Sequence, residues 1–105
     1  MIIYSESFHV EHSVEEEWVL WMKKNIIPDM LSQGRFSRAV FAKVISHSDE
    51  TGNTYSVQYY IKDKAELEDF YKKHSGKITQ SIFTKFGTQV LSFKTELELI
   101  ETFDL

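Results

Sequence analysis

Residues 36–61, FSRAVFAKVISHSDETGNTYSVQYYI, decide how this chain folds. Over 36–47, Val40, Ala42 and Val44 fall on one side and Phe41 and Ile45 on the other, the period of a strand. Ser48-Asp49-Glu50-Thr51-Gly52-Asn53 follows, a cluster of turn formers. Residues 54–61 then alternate again. Two alternating runs joined by such a turn make an antiparallel hairpin in the middle of the chain.

On the N-terminal side, residues 2–11 alternate Ile2, Tyr4, Phe8 and Val10 against Ile3, Ser5, Ser7 and His9, giving a first strand. Ser13 with Glu16 three residues on reads as a capping box. Glu15, Glu16 and Glu17 in the first turn favour the positive end of the helix dipole. A helix to about residue 26 puts Val14, Trp18, Trp21 and Asn25 on one face. Pro28 suits the first position of a second short turn over 28–33, and Gly34 a left-handed cap.

On the C-terminal side, Asp63 and Glu66 mark another helix start. Leu67, Phe70, Tyr71, His74, Ile78, Ile82 and Phe86 follow at helical spacing, and Gly87 ends the run. Ser75-Gly76 near its middle predicts a kink or break. Residues 90–100 form a last strand, with Leu91, Phe93, Leu97 and Leu99 on one face, before a short tail over 101–105. The order is β-α-β-β-α-β. With right-handed crossovers this gives an α+β, ferredoxin-like domain spanning residues 1–105, with sheet order 4-1-3-2 and two helices on one face.

The helices take the face bearing Ile2, Tyr4, Phe8, Tyr55, Val57, Tyr59, Leu91 and Phe93, by the sequence pattern. The other face carries Ile3, Ser5, Ser7, His9, Thr54, Ser56, Gln58, Tyr60, Ser92, Lys94 and Glu96, joined by Phe41 and Ile45. That mixed face either stays wet or closes on a second copy. Ser5, Gln58 and Lys94 are expected to cluster on it.

Composition removes several function classes. The chain has 105 residues, no cysteine and a formal net charge of −4. Disulfides, thiol nucleophiles and cysteine-bound metals are excluded. Lys23-Lys24 and Lys72-Lys73 are too short to be a phosphate-binding stripe, so no nucleic acid is expected. Apolar runs are short and broken by charges, so no membrane span is expected. The start, Met1-Ile2-Ile3-Tyr4, lacks a signal peptide's basic and apolar regions, and the expectation is a cytoplasmic protein of bacterial type.

Candidate chemistry is sparse. Tyr4, Trp18, Trp21, Tyr55, Tyr59 and His74 are expected either to line a helix–sheet cleft for a flat apolar ligand or to form the core. The residues expected to bind a ligand are Tyr4, Trp21, Tyr55, Tyr59 and His74. His9, Glu11, His12 and His47 suggest a metal cluster, but His12 points away from the first two and His47 lies about 10 Å off, two strand spacings. No metal and no cofactor is expected. No phosphate loop, nucleophile elbow or carboxylate pair is identifiable.

Met1-Ile2-Ile3-Tyr4, Trp18-Val-Leu-Trp21-Met, Ile27-Pro28, Gly34-Arg-Phe36, Thr54-Tyr-Ser-Val-Gln-Tyr59, Phe86-Gly87 and Leu91-Ser-Phe-Lys-Thr95 span nearly the whole chain. In these the chain resembles an uncharacterised family of small bacterial single-domain proteins, a domain of unknown function. That family is grouped with dimeric α+β barrels, beside cofactor-free monooxygenases and haem-degrading enzymes. The resemblance implies a homodimer whose ligands enter between each subunit's helices and its own sheet. Haem-degrading relatives use an Asn on strand one, a Trp and a helix-two His. Here only His74 is in place, since strand one offers Ser5 and Ser7 and both tryptophans lie on helix one. The expectation is a dimeric ligand-binding or interaction module without a complete catalytic set. A cofactor-free, monooxygenase-like oxidoreductase acting on an aromatic small molecule is the alternative.

Overall fold

The structure is a computed structural model describing residues 1–47 and 49–105. Ser48, at the start of the expected turn cluster, lies outside the described residues. Four strands, β1 (Ile2–Glu11), β2 (Phe36–Lys43), β3 (Gly52–Ile61) and β4 (Val90–Glu98), form one antiparallel sheet in the order β2-β3-β1-β4. This is the expected 4-1-3-2 order read from the other edge, and the fold is ferredoxin-like. β2 and β4 stop earlier than the sequence pattern suggests, and β3 begins earlier, at Gly52.

Two helical arms cover one side. The first runs over residues 15–32 as α1 (Glu15–Trp21), a wide π-type turn (Met22–Ile26) and α2 (Ile27–Ser32). The second runs over residues 64–86 as α3 (Lys64–Phe70), another π-type turn (Tyr71–Ser75) and α4 (Gly76–Phe86). The wide turns follow from the spacing of the apolar residues. Trp18, Met22, Ile26 and Met30 are four apart, and all four are buried. Four residues of α-helix overshoot a full turn by about 40°, so this stripe would wind off the core within three steps. A turn bonded i to i+5 absorbs one residue and brings the stripe back. Phe70, His74, Ile78, Ile82 and Phe86 repeat the spacing in the second arm. The expected break at Ser75-Gly76 is this π-type turn, which closes at Ser75.

The caps divide. Asp63 accepts a hydrogen bond from the Glu66 amide at 2.9 Å, as expected. Ser13 does not cap α1. A short 3-10 turn, His12–Val14, intervenes, and the Ser13 hydroxyl accepts from Gln89 instead. Gly34 has φ 79° and ends the first arm in the left-handed region open to glycine.

The core holds two aromatic clusters. Tyr4, Phe36, Tyr59, Phe70 and Tyr71 pack at one end, with ring centroids 5.1–6.2 Å apart. Phe8, Trp18, Phe41 and Tyr55 pack at the other, at 5.0–5.8 Å.

Strand register corrects the assignment of faces. Lys94 lies opposite Glu6, Ser92 opposite Phe8 and Glu96 opposite Tyr4, so Ser92, Lys94 and Glu96 share the helix side. Leu91, Phe93 and Leu97 lie opposite His9, Ser7 and Ile3 on the open side, where all three are exposed. Phe41, opposite Val57, points to the core against Trp18, and Ile45 lies beyond the end of β2. Ser5 does face Gln58 across β1 and β3, but Lys94 is on the other side of the sheet. The alternation was read correctly; the phase of β4 was not, because its apolar side is the one turned away from the helices. Among the described residues, no helix is long and apolar enough to cross a membrane.

Candidate functional site

The five sequence-predicted ligand residues do not converge. Tyr4 and Tyr59 lie side by side in the core, 2 % and 1 % exposed, with ring centroids 6.1 Å apart. Burial pushes both phenols well above the ordinary tyrosine range, and the Glu6 carboxyl adds to that. Trp21 packs edge-on against Phe86 at 5.4 Å. His74 is half-buried on the second π-type turn. Tyr55 belongs to the other aromatic cluster and borders a groove opening on the outside, while Trp21 borders a separate open hollow beside Pro28 and Ser81.

That groove runs between the first arm and edge strand β2, with a volume of about 550 Å³. Val19 and Ile27 form one wall and Phe41 and Tyr55 the other, with Lys23 and Lys43 at the rim. Glu15 anchors its end. The Tyr55 hydroxyl donates to Glu15 Oε2 at 2.6 Å and the Asn53 amide to the same oxygen at 2.8 Å. Lys43 Nζ stands 3.6 Å away, and His12 Nδ1 lies 3.4 Å from Oε1. The Tyr55 bond, helped by Asn53 and His12, holds the Glu15 carboxyl down to about 2. Burial, with the bond to Glu15, pushes the Tyr55 phenol up to about 12. Both groups therefore keep one protonation state near neutrality, and the pair works as a fixed hydrogen bond rather than a proton relay. Two of the four residues that suggest a metal cluster bond to the hairpin: His9 Nε2 contacts the Thr51 hydroxyl at 3.1 Å, and His12 Nε2 donates to the Asp49 carbonyl at 3.0 Å.

A second feature lies on the other side of the core. Glu6, on β1 with Tyr4 and Phe8 on either side in the inward phase, is 6 % exposed. It borders a cavity of about 150 Å³ between β4 and α4. Burial raises its carboxyl above the ordinary range, while the Lys94 ammonium and Ser92 hydroxyl act the other way.

Sequence reasoning passed over Lys23, Lys43, Glu15 and Glu6 as site residues. Glu6 had a signal: it is the one charged residue in the inward phase Ile2, Tyr4, Glu6, Phe8, Val10. Glu15 was read only as dipole chemistry, and its pairing with Tyr55 spans 40 residues, beyond any local pattern.

The fold recurs in solved structures of low sequence identity. A dimeric ferredoxin-like protein from an uncultured marine organism aligns with a TM-score of 0.74 at 13% identity, covering 96% of this chain and 97% of its own. A putative antibiotic biosynthesis monooxygenase from Deinococcus radiodurans aligns at 0.70 and 10% identity, covering 100% and 98%. An ethyl tert-butyl ether D family protein from Bacillus halodurans aligns at 0.70 and 12% identity, covering 95% and 100%. At such identities the likeness is one of fold. No curated protein matches the sequence. Residues 1–100 match the profile of a domain of unknown function, DUF4286, and the chain belongs to that family.

Proposed function

We propose that this protein is a homodimeric ligand-binding module that takes a small amphipathic anion, an aromatic or aliphatic carboxylate, in the Tyr55 groove. The observation that carries the reading is the pair Lys23 and Lys43 at the rim of apolar walls. Pockets of this kind take the ligand's body on apolar surface and fix its orientation with a few polar groups. The Lys43–Glu15 contact is half in water, where such pairs contribute little, so the ammonium is free to turn to a ligand. The dimer reading is supported by Leu91, Phe93 and Leu97 on the open sheet face, an apolar strip that a second copy would cover. A monooxygenase-like chemistry finds no support beyond shared fold.

The test uses Trp18, whose ring lies 5.0 Å from Tyr55 and 5.6 Å from Phe41 and so reports on the groove wall. Titration with 1-naphthaleneacetate is expected to change tryptophan fluorescence saturably, and binding to weaken with added salt. Lys23→Gln and Lys43→Gln should each weaken it several-fold. Equal binding of the neutral 1-methylnaphthalene, or indifference to both substitutions, would remove the anion site.

A further inference from the structure

β4 is an edge strand that the fold leaves open on both faces as well as along its edge. It runs without a bulge over nine residue pairs with β1, and residues 91–98 are all exposed. The other edge of the sheet is guarded. β2 carries a register irregularity between Phe36 and Arg38 and two cations, Arg38 and Lys43, devices that keep sheet edges from pairing. β4 has no proline, and its one lysine, Lys94, is followed on the same side by Glu96.

The backbone of this edge is polarised along its length. The Leu99 amide donates to the Met1 carbonyl at 3.0 Å, the residue opposite it in the β1–β4 register. Antiparallel pairs alternate, so the odd residues of β4 direct their backbone groups to β1 and the even ones turn theirs outward. Ser92, Lys94, Glu96 and Glu98 therefore present N–H and C=O groups along the free edge, with their side chains on the helix side. There Lys94 donates to the Thr79 hydroxyl at 3.3 Å, and Glu96 accepts from the Tyr71 hydroxyl at 2.8 Å. Each keeps capacity in reserve, for an ammonium has three donors and a carboxylate two oxygens.

The charges of the strand select its partner. A second copy of β4 laid antiparallel, with the two-fold axis at Thr95, sets Lys94 opposite Glu96 twice over. Phe93 then meets Leu97, Leu91 meets Leu99, and Ile100, 84 % exposed, falls opposite Val90. No like charges face each other. A slide of two residues sets Glu96 against Glu96 one way and Lys94 against Lys94 the other, and both are destabilising. A slide of one turns the apolar side of one strand onto the polar side of the next. The register about Thr95 is self-complementary, as a two-fold contact requires.

We infer that the free edge of β4 is a docking surface for the same edge of a second copy, joined antiparallel about Thr95 into one continuous sheet. The contact runs along the edge rather than across the open face, and it stands whether or not the faces pair. A lone strand pair falls short of the ~1,200–2,000 Å² of a standard stable interface, so its Kd is on the order of 100 µM.

The chain has no cysteine, so single substitutions report the register. Ser92→Cys and Glu98→Cys chains, mixed at ~1 mM under mild oxidation, should form a mixed disulfide, because facing Cα atoms of a bonded pair stand about 5.5 Å apart. Each variant alone should stay unlinked, since like positions lie roughly 20 Å apart along the strands. Both positions are on the helix side, out of reach of a contact between open faces. In sedimentation equilibrium the mean mass of the unaltered protein should rise between about 10 µM and 1 mM. Lys94→Glu and Glu96→Lys should each flatten that rise, and the double reversal should restore it. A mixture that links no better than its single components overturns the inference. So does a flat mass for the unaltered protein, or a double reversal that stays as flat as the single ones.

Discussion

The Tyr55 hydroxyl meets Glu15 Oε2 at 2.6 Å, tying the middle of the sheet to the first turn of the first arm across 40 residues of sequence. The bond makes stability depend on acid. The carboxyl titrates near its ordinary 4.5 when the chain is unfolded and near 2 when it is folded. Protons therefore favour the unfolded chain between those values. The stabilisation is complete above about pH 4.5 and is lost as pH falls toward 2. Tyr55→Phe removes the largest cause of the shift. Urea midpoints should show a loss of about 1–2 kcal/mol at pH 6, and a shallower fall below pH 4.5. An unchanged acid slope would show that Asn53 and His12 hold the carboxyl by themselves.

Gly52 opens β3 opposite Glu11, and an added Cβ would run into the Val10 carbonyl of the neighbouring strand. Backbone on a central strand yields poorly. Gly52→Ala should therefore cost about 1–3 kcal/mol through a forced shift of the strand pair. Thermal melting measures the cost, and amide exchange should rise first at Val10 and Asn53. A variant as stable as the parent would mean the hairpin end moves freely.

Phe93 is 72 % exposed on the open face of β4 and opposite Ser7. In a sheet-to-sheet dimer that side chain is covered. Phe93→Glu should convert the dimer to a monomer in sedimentation velocity, with an unchanged far-ultraviolet spectrum. If unaltered protein sediments as a monomer at micromolar concentration, the open face is a free surface and the assembly reading fails.

Much of this architecture was legible. The pairing of β2 with β3, the Asp63 cap and the order of strands and helices each rest on short-range rules, and the crossover rule then sets the sheet order. Two things escaped for physical reasons. β4 alternates cleanly, but period two says nothing about which side faces inward, and the usual assumption that apolar means core fails on an edge strand whose apolar side is the outer one. The arms were read at a period of 3.6, although Trp18, Met22, Ile26 and Met30 keep a strict spacing of four that a plain α-helix cannot hold to one face. The site was less visible than the fold. Tyr55 stood out as an aromatic on a strand, but its partner Glu15 and the rim lysines come from other elements, and only the folded chain brings them together.

The wide turn at Met22–Ile26 gives the first arm a point of slack. Because it already accommodates one residue more than an α-helical turn, removing Lys23 or Lys24 would let the segment tighten into ordinary helix with Trp18 and Met30 still facing the sheet. Loss of a residue from α1 or α2 has no such buffer and would swing everything beyond it by about 100°. Length changes in this arm are thus tolerated at one place, which is also where Lys23 overlooks the groove, so the rim of the proposed ligand site can be recut without disturbing the frame that holds it.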